Sequence, residues 1–419
     1  MSVDPTLLDD LEWRGLVAHS TDRDALREAL TAGSVKFYVG FDPTAPSLHL
    51  GNLVQIVTAR RLQNAGHTPY ALVGGATGMI GDPRDSGERT LNSLDTVREW
   101  VERVRGQIEP FLSFEGANAA TMVNNYDWTQ QMSTIDFLRD IGKHFPVNRM
   151  LARDVVARRL EAGISYTEFS YILLQSMDFL ELYRSHGVTL QFGGSDQWGN
   201  LTGGVELIRR AAQGQAHAFA TPLITKSDGT KYGKTEGGAL WLDPVMMSPY
   251  AFHQFWLNVE DAKVGELLRI FTFLGHDEIL ELEAQTAEKP FLRAGQKALA
   301  DAVTSLVHGE AETEQAKAAA GALFGGGDLR ALNASTLAAA LTETGLTEVP
   351  EGTTIVDLLL LTGLVKSRGE ARRTLGEGGV YFNNERVAEG ERTPISDDLI
   401  AGMGVLRRGK KNFAGIRVV

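Results

Sequence analysis

Lys36-Phe37-Tyr38-Val39-Gly40-Phe41-Asp42-Pro43-Thr44-Ala45-Pro46-Ser47-Leu48-His49-Leu50-Gly51-Asn52 decides how this chain folds. Residues 37–41 are apolar and aromatic, and Lys36–Phe41 reads as a strand. Two prolines then set a rigid turn. His49–Gln63 follows with helical spacing, and Tyr70–Val73 reads as the next strand. Strand, helix and strand within about 35 residues make a βαβ unit, which implies a parallel sheet. His49 is expected in the first helical turn, where unpaired backbone N–H groups and the helix dipole favour a phosphate. Gly51, and Gly40 on the strand, would let a flat adenine approach the backbone. By itself the segment is also compatible with an ordinary strand-to-helix turn.

Working outward, Ala120–Asn124, Thr189–Phe192 and Phe219–Ile224 read as further strands and Leu201–Ala212 as a helix. Residues 1–225 are therefore expected to form one nucleotide-binding α/β domain, with a helical insertion at about 97–160. Residues 226–320 hold a lysine-bearing loop and a small all-α domain. Residues 321–353, rich in Gly and Ala, read as a partly structured linker. A compact unit is expected at 354–419.

The loop Lys226-Ser227-Asp228-Gly229-Thr230-Lys231-Tyr232-Gly233-Lys234-Thr235-Glu236-Gly237-Gly238 packs three lysines and four glycines into thirteen residues. Glycines allow several loop conformations, and ammonium groups match the charge that builds on departing pyrophosphate. A solvated basic loop would look similar. The order of the two segments, on either side of the sheet strands, favours a nucleotide clamp. Tyr171, Gln175 and Asp178 lie at i, i+4 and i+7, one polar stripe on an otherwise apolar helix. Buried polar groups are costly without partners, so the stripe should line a polar ligand site or a structural hydrogen-bond network.

The net charge of −12 argues against general nucleic-acid coating. Its distribution is uneven. Residues 354–419 hold eleven Lys/Arg and eight Asp/Glu, so a basic tail follows an acidic body. The absence of cysteine excludes disulfides, thiolate metal sites and cysteine nucleophiles, and suits a reducing cytoplasm. Met1–Arg14 is acidic without a long apolar core, so no signal peptide is expected, and no apolar run is long enough for a membrane span.

At this point the chain resembles the bacterial tyrosyl-tRNA synthetases, which are class I aminoacyl-tRNA synthetases. His49–Asn52 is similar to the family's "HIGH" signature and Lys231–Thr235 to its "KMSKS" signature. The runs Tyr38–Thr44, Gly74-Gly75-Ala76-Thr77-Gly78 and Gln191–Asn200 match as well. The resemblance implies a Rossmann-like catalytic domain with a helical insertion, a small all-α domain on the anticodon side, and a C-terminal S4-like α+β RNA-binding domain. It implies ATP as substrate with Mg²⁺ accompanying it; no dedicated protein metal cage is expected. The implied partners are L-tyrosine, tRNA(Tyr) and a second copy of the chain, with no membrane.

By the same resemblance, Tyr38 and Asp178 would hold the tyrosine phenol, and Tyr171, Gln175 and Asp82 its ammonium. Gln191 and Gln197 would steer the substrate. Asn125 would reach the pocket. Gly40, Asp42, His49, Gly51, Asn52 and Gly194 would bind ATP, and Asp196 would accept from the ribose diol. Thr44, His49, Lys231, Lys234 and Thr235 would serve the pyrophosphate side of the transition state. The Gly81–Arg89 loop lacks a lysine that family members often carry there; Arg89, or else Arg84, would replace it. Arg368, Arg372 and Arg373, with a second cluster of Arg407, Arg408, Lys410 and Lys411, would meet tRNA phosphates. The alternatives are a tryptophanyl-type class I synthetase, a nucleotidylyltransferase sharing the histidine signature, and an RNA-binding regulator on an inactive body.

Overall fold

A computed structural model describes residues 3–83, 91–230, 232, 239–325, 327–387, 389–409 and 412–419. The chain divides into two compact units. Met1–Asp243 and Ala262–Ala284 form the first; Pro244–Asp261 and Gln285–Val419 form the second.

The first unit is built on a six-stranded sheet. Its strands are β1 (His19–Ser20), β2 (Lys36–Phe41), β3 (Thr68–Val73), β4 (Thr121–Asn124), β5 (Leu190–Gly194) and β6 (His217–Thr221), in the order β1-β6-β5-β2-β3-β4. All pairs are parallel except β1 with β6. β2 therefore lies at the centre, where the winding reverses. In doubly wound sheets, ligands collect at the carboxyl ends of the strands at such a point. Phe37, Tyr38, Val39 and Phe41 are all fully buried, as expected of a strand covered on both faces.

The Leu94–Ile108 helix runs between β3 and β4, so it belongs to the winding of the sheet. The insertion expected from residue 97 begins only after Asn124. Short helical segments then run from Tyr126 to Arg159. The strand expected at Ala120–Asn124 is β4, four residues long and half-buried throughout.

Residues 262–284 join this unit through buried arginines. Arg14 donates to the carbonyls of Arg269, Thr272 and Leu274, and Arg61 to that of Thr272. These groups lie at or just beyond the C-terminal end of the Asp261–Phe271 helix, where carbonyls lack helical partners and the dipole favours cations. The single domain expected over 226–320 is thus divided between the two units.

In the second unit, the stretch expected as a linker is folded. It carries the Ala334–Thr344 helix and β7 (Leu346–Val349). β7 joins a five-stranded sheet with β8 (Val380–Phe382), β9 (Glu385–Arg386), β10 (Met403–Arg408) and β11 (Asn412–Val418), in the order β7-β11-β10-β8-β9. The alanines that looked like linker belong to a core: Ala322 and Ala340, with Ala338 and Ala339 partly buried beside them, pack with Leu323, Leu337, Leu341, Met403 and Val405 on one face of the sheet. Small side chains let helices approach closely, so composition alone misreads them. On the other face, helices Ile355–Leu361 and Arg368–Gly376 pack over Val380, Phe382, Leu406 and Ile416.

Candidate active site

The segment after β2 turns at Asp42–Leu48 and enters the Leu50–Asn64 helix with His49 as its N-cap. His49 Nδ1 accepts from the Gly51 N–H at 3.0 Å, and Asn52 Oδ1 accepts from the His49 N–H at 3.0 Å. The Leu50 N–H donates to the Leu240 carbonyl and the Asn52 N–H to the His49 carbonyl. The expectation of unpaired first-turn N–H groups therefore fails: the histidine signature satisfies its own helix end. What it presents instead is a side chain. An imidazole accepting at Nδ1 carries its proton on Nε2, the form that donates to a phosphate oxygen. His49 and Thr44 are both exposed.

The same segment anchors the lysine loop. Leu242 N–H donates to Leu48 O at 2.9 Å, Asp243 N–H to Ser47 Oγ at 3.1 Å, and Trp241 forms an antiparallel bridge with His49. On the other side, Lys226 N–H bonds Thr230 O and Tyr232 N–H bonds Ile224 O. Both flanks of the loop are thereby pinned in the first unit, one of them on His49 itself. Lys231, Lys234 and Thr235 lie outside the described residues, as do Arg84 and Arg89.

A buried polar chain runs under the carboxyl end of the sheet. Tyr171 donates to Asp42 Oδ2 at 2.6 Å and Thr77 to Asp42 Oδ1 at 2.7 Å. Asn125 Nδ2 bonds Thr77 Oγ1 and Asp178 Oδ2, both at 2.9 Å, and its Oδ1 accepts from the Ala76 N–H. Trp128 Nε1 donates to Asp178 Oδ1 at 2.8 Å. Gly74 and Gly75 allow this packing: a Cβ at Gly74 would strike Asp42 and Thr77, and one at Gly75 would strike Asn124. Tyr38 lies in register with Gln191 on the adjacent strand, and its hydroxyl is 3.5 Å from the Gln175 carbonyl.

Asp178 is 2 % exposed, and burial pushes its pKa up to about 7, against the lowering effect of the Asn125 and Trp128 donors. Burial also drives the Tyr38 and Tyr171 phenols well above their usual range, so both stay neutral. Asp82 is raised by burial too, opposed by hydrogen bonds from Gln197 at 2.8 Å and Asn200 at 3.2 Å. Arg153, from the insertion, completes that cluster by donating to Asn200 at 2.7 Å. Asp42, Asp82 and Asp178 all lie close enough to Tyr171 to raise its pKa, so three acidic groups surround it, which suits a cation such as an ammonium group. Gln175 Oε1 is a buried acceptor with no partner among the described residues.

Two family models cover the chain. Residues 31–325 match "tRNA synthetases class I (W and Y)", and residues 337–416 match the "Tyrosine--tRNA ligase SYY-like C-terminal domain". A Tyrosine--tRNA ligase of Streptomyces coelicolor is 61% identical over 416 residues, covering 98% of this chain and 99% of the relative. The chain belongs to the tyrosine–tRNA ligase family. A Corynebacterium glutamicum member is 54% identical over 99% of both chains. A C-terminally truncated mitochondrial tyrosyl-tRNA synthetase of Aspergillus nidulans superposes with a TM-score of 0.68 at 29% identity, covering 74% of this chain and 92% of that one. The tryptophanyl alternative has less support, because the full-length relatives are tyrosine ligases.

Within this family frame, several expected residues occupy unexpected places. Asp42, expected on the ATP side, accepts from Tyr171 and Thr77. Gln191 is buried against Phe179 and Gly204, while Gln197 grips Asp82. Asp196 is exposed beside Gly194. Thr77, Trp128, Asn200 and Arg153 were not singled out from sequence. Thr77 and Asn200 lay inside the runs that match the family, and Trp128 follows Asn125 by three residues, but only the fold aims them at carboxylates. Arg153 gave no signal at all.

The basic C-terminal residues are less available than their spacing implied. Arg368 pairs with Asp357, Arg372 with Glu391, and Arg408 with Glu370. Arg373 is exposed. Arg407 and Arg408 do not form one cluster, because neighbours in a strand point to opposite faces. Lys410 and Lys411 lie outside the described residues.

Proposed function

We propose that the chain activates L-tyrosine with ATP, releasing pyrophosphate, and transfers the tyrosyl group to the 3′-terminal ribose of tRNA(Tyr). The observation that carries the tyrosine assignment is Asp178, a buried carboxylate held by Asn125 and Trp128 and close enough to Tyr38 to raise its pKa. A phenol supplies the next donor to that carboxylate. Phenylalanine would leave it desolvated without one; tyrosyl-tRNA synthetase is itself the reference case for rejection on that ground. The ammonium is assigned to Gln175 Oε1, Tyr171 and Asp82.

The tyrosine carboxylate is already an anion, so the first step needs no side-chain base. It attacks the α-phosphorus in line, the bond to the β-phosphate oxygen breaks, and pyrophosphate leaves with the charge. Catalysis then rests on positioning and on charge stabilisation. His49 Nε2 and Thr44 are assigned to the phosphates, with Lys231, Lys234, Thr235 and Arg89 closing over them. Gly40, Gly51, Asn52, Gly194 and Asp196 are assigned to the nucleoside. Mg²⁺ enters as part of the ATP substrate.

The second unit is assigned to tRNA, with Arg373 and Arg408 on the side of the Arg368–Gly376 helix. The insertion is assigned to a homodimer interface. It exposes Ile135, Leu138, Val147, Leu151 and Leu160, a density of apolar surface that a monomer rarely leaves bare. Ile135→Asp should shift sedimentation from dimer to monomer. No helix among the described residues is long and apolar enough to cross a membrane, and a cytoplasmic location is assigned. ATP–pyrophosphate exchange with each of the twenty amino acids tests the whole reading. Tyrosine alone should support it; exchange driven by tryptophan, or none at all, would end it.

A further inference from the structure

The second unit's sheet carries helices on both faces, but one face is covered only in part. Along β10, Met403, Val405 and Arg407 point to one side and Leu406 and Arg408 to the other. Met403 and Val405 lie under the Glu310–Gly325 and Ala334–Thr344 helices. One step further, the cover thins, and Tyr381, Arg407 and Phe413 are each only part-buried. Directly opposed residues there form a row across four strands: Arg386 on β9, Tyr381 on β8, Arg407 on β10 and Phe413 on β11. Paired residues share a face, so cation, phenol, cation and phenyl alternate at one level.

The row is ordered from within. The Arg407 guanidinium carbon sits 4.6 Å from the Tyr381 ring centroid. The Arg386 guanidinium fills the space that a Cβ at Gly378 would need. Phe413 meets Phe324 edge-on at 5.1 Å, and Phe324 is 59% exposed. Neither Arg386 nor Arg407 has an ion-pair partner among the described residues, whereas Arg368, Arg372, Arg392 and Arg408 all do. Uncompensated guanidiniums in an acidic protein call for an anion from outside. A half-exposed ring between them calls for a flat partner.

We propose that this row is a stacking platform for an unpaired nucleotide of the tRNA, its base on Tyr381 and its flanking phosphates on Arg386 and Arg407. The inference rests on the ligase reading and adds to it a second RNA-contacting face, on the opposite side of the sheet from the Arg368–Gly376 helix. Aromatic rings and arginine planes are how proteins hold splayed RNA bases. The platform plays no part in amino-acid activation.

The test uses the full chain and a tRNA(Tyr) transcript in a fluorescence titration, with tyrosine-dependent ATP–pyrophosphate exchange as the tRNA-independent control. Tyr381→Ala should raise the Kd for tRNA about ten-fold, Tyr381→Phe should not, and exchange should be unchanged in both. Arg386→Gln, at an exposed position with little risk to folding, should weaken binding and flatten the salt dependence by about one ion. Wild-type tRNA affinity in Tyr381→Ala and Arg386→Gln, with exchange intact, would overturn the platform while leaving the ligase reading standing. A changed sedimentation coefficient in Tyr381→Ala, with tRNA affinity intact, would make the row a protein interface and overturn it equally. Loss of tyrosine-dependent exchange in the unsubstituted protein would remove the ligase reading and the platform with it.

Discussion

Trp128→Phe keeps an aromatic ring in the site but trades the indole for a smaller phenyl. The indole N–H that donates to Asp178 Oδ1 at 2.8 Å is lost. A hydrogen bond to a charged group contributes about 1.5–3 kcal/mol, and here it favours the ionised carboxylate over the acid. Its loss should raise the Asp178 pKa by about 1–2 pH units. The starting value is about 7, so near neutrality about half of the carboxylates are charged. In the variant only about one in ten to one in a hundred would be.

Tyrosine binds the charged form, because its phenol must donate. Its KM in pyrophosphate exchange should therefore rise about five- to fifty-fold at pH 7. At pH 9 most of that rise should vanish as the carboxylate ionises again. Phenylalanine, with no hydroxyl to place, should show no matching change. A pH profile of KM from 6 to 9 with both amino acids reads all of this. An equal rise at every pH, or an equal rise for phenylalanine, would mean that Trp128 acts through packing and that the charge argument is wrong.

Three further outcomes follow from other parts of the structure. Gly74→Ala should raise the KM for tyrosine more than about ten-fold in a folded protein, since the new methyl displaces the Asp42 and Thr77 side chains that steady Tyr171; unchanged KM would show that this network does not hold the substrate. His67 is buried, accepts from the Val35 N–H, and has its pKa pulled down to about 4 by burial. The unfolded chain binds a proton near 6.5 and the folded one does not until about 4, so stability is full above the first value and is lost as pH falls between them. Urea unfolding should show the wild type losing about 2–3 kcal/mol more than His67→Asn between pH 7.5 and 4.5; parallel losses would count against it. Lys234→Ala should slow the pyrophosphate burst while equilibrium tyrosine binding holds, and equal loss in both would contradict a transition-state role.

Residues 36–52 displayed strand, turn and helix in their local pattern, because covalent geometry and burial period act over short distances. The polar stripe Tyr171, Gln175 and Asp178 was legible for the same reason: a helix repeats every few residues, and a carboxylate among leucines stands out. What those residues touch was not legible. Asn125 and Trp128 come from one short helix and Thr77 and Arg153 from two others, and only chain packing brings their donors onto Asp178, Asp42 and the Asp82 cluster. The same limit explains the linker. Alanines at 338–340 look featureless until strands from 403–408 arrive to bury them.

The amino-acid sequence by itself determined the βαβ core and the family, since these are written in contiguous runs. The tertiary structure alone decided that the Leu240 carbonyl takes the Leu50 N–H, that Asp178 is gripped by two donors, and that Arg408 meets Glu370 while Arg407 meets Tyr381. Each of those depends on distances between segments far apart in the chain. Such distances follow from the sum of all packing and solvation energies, and no local spacing encodes them.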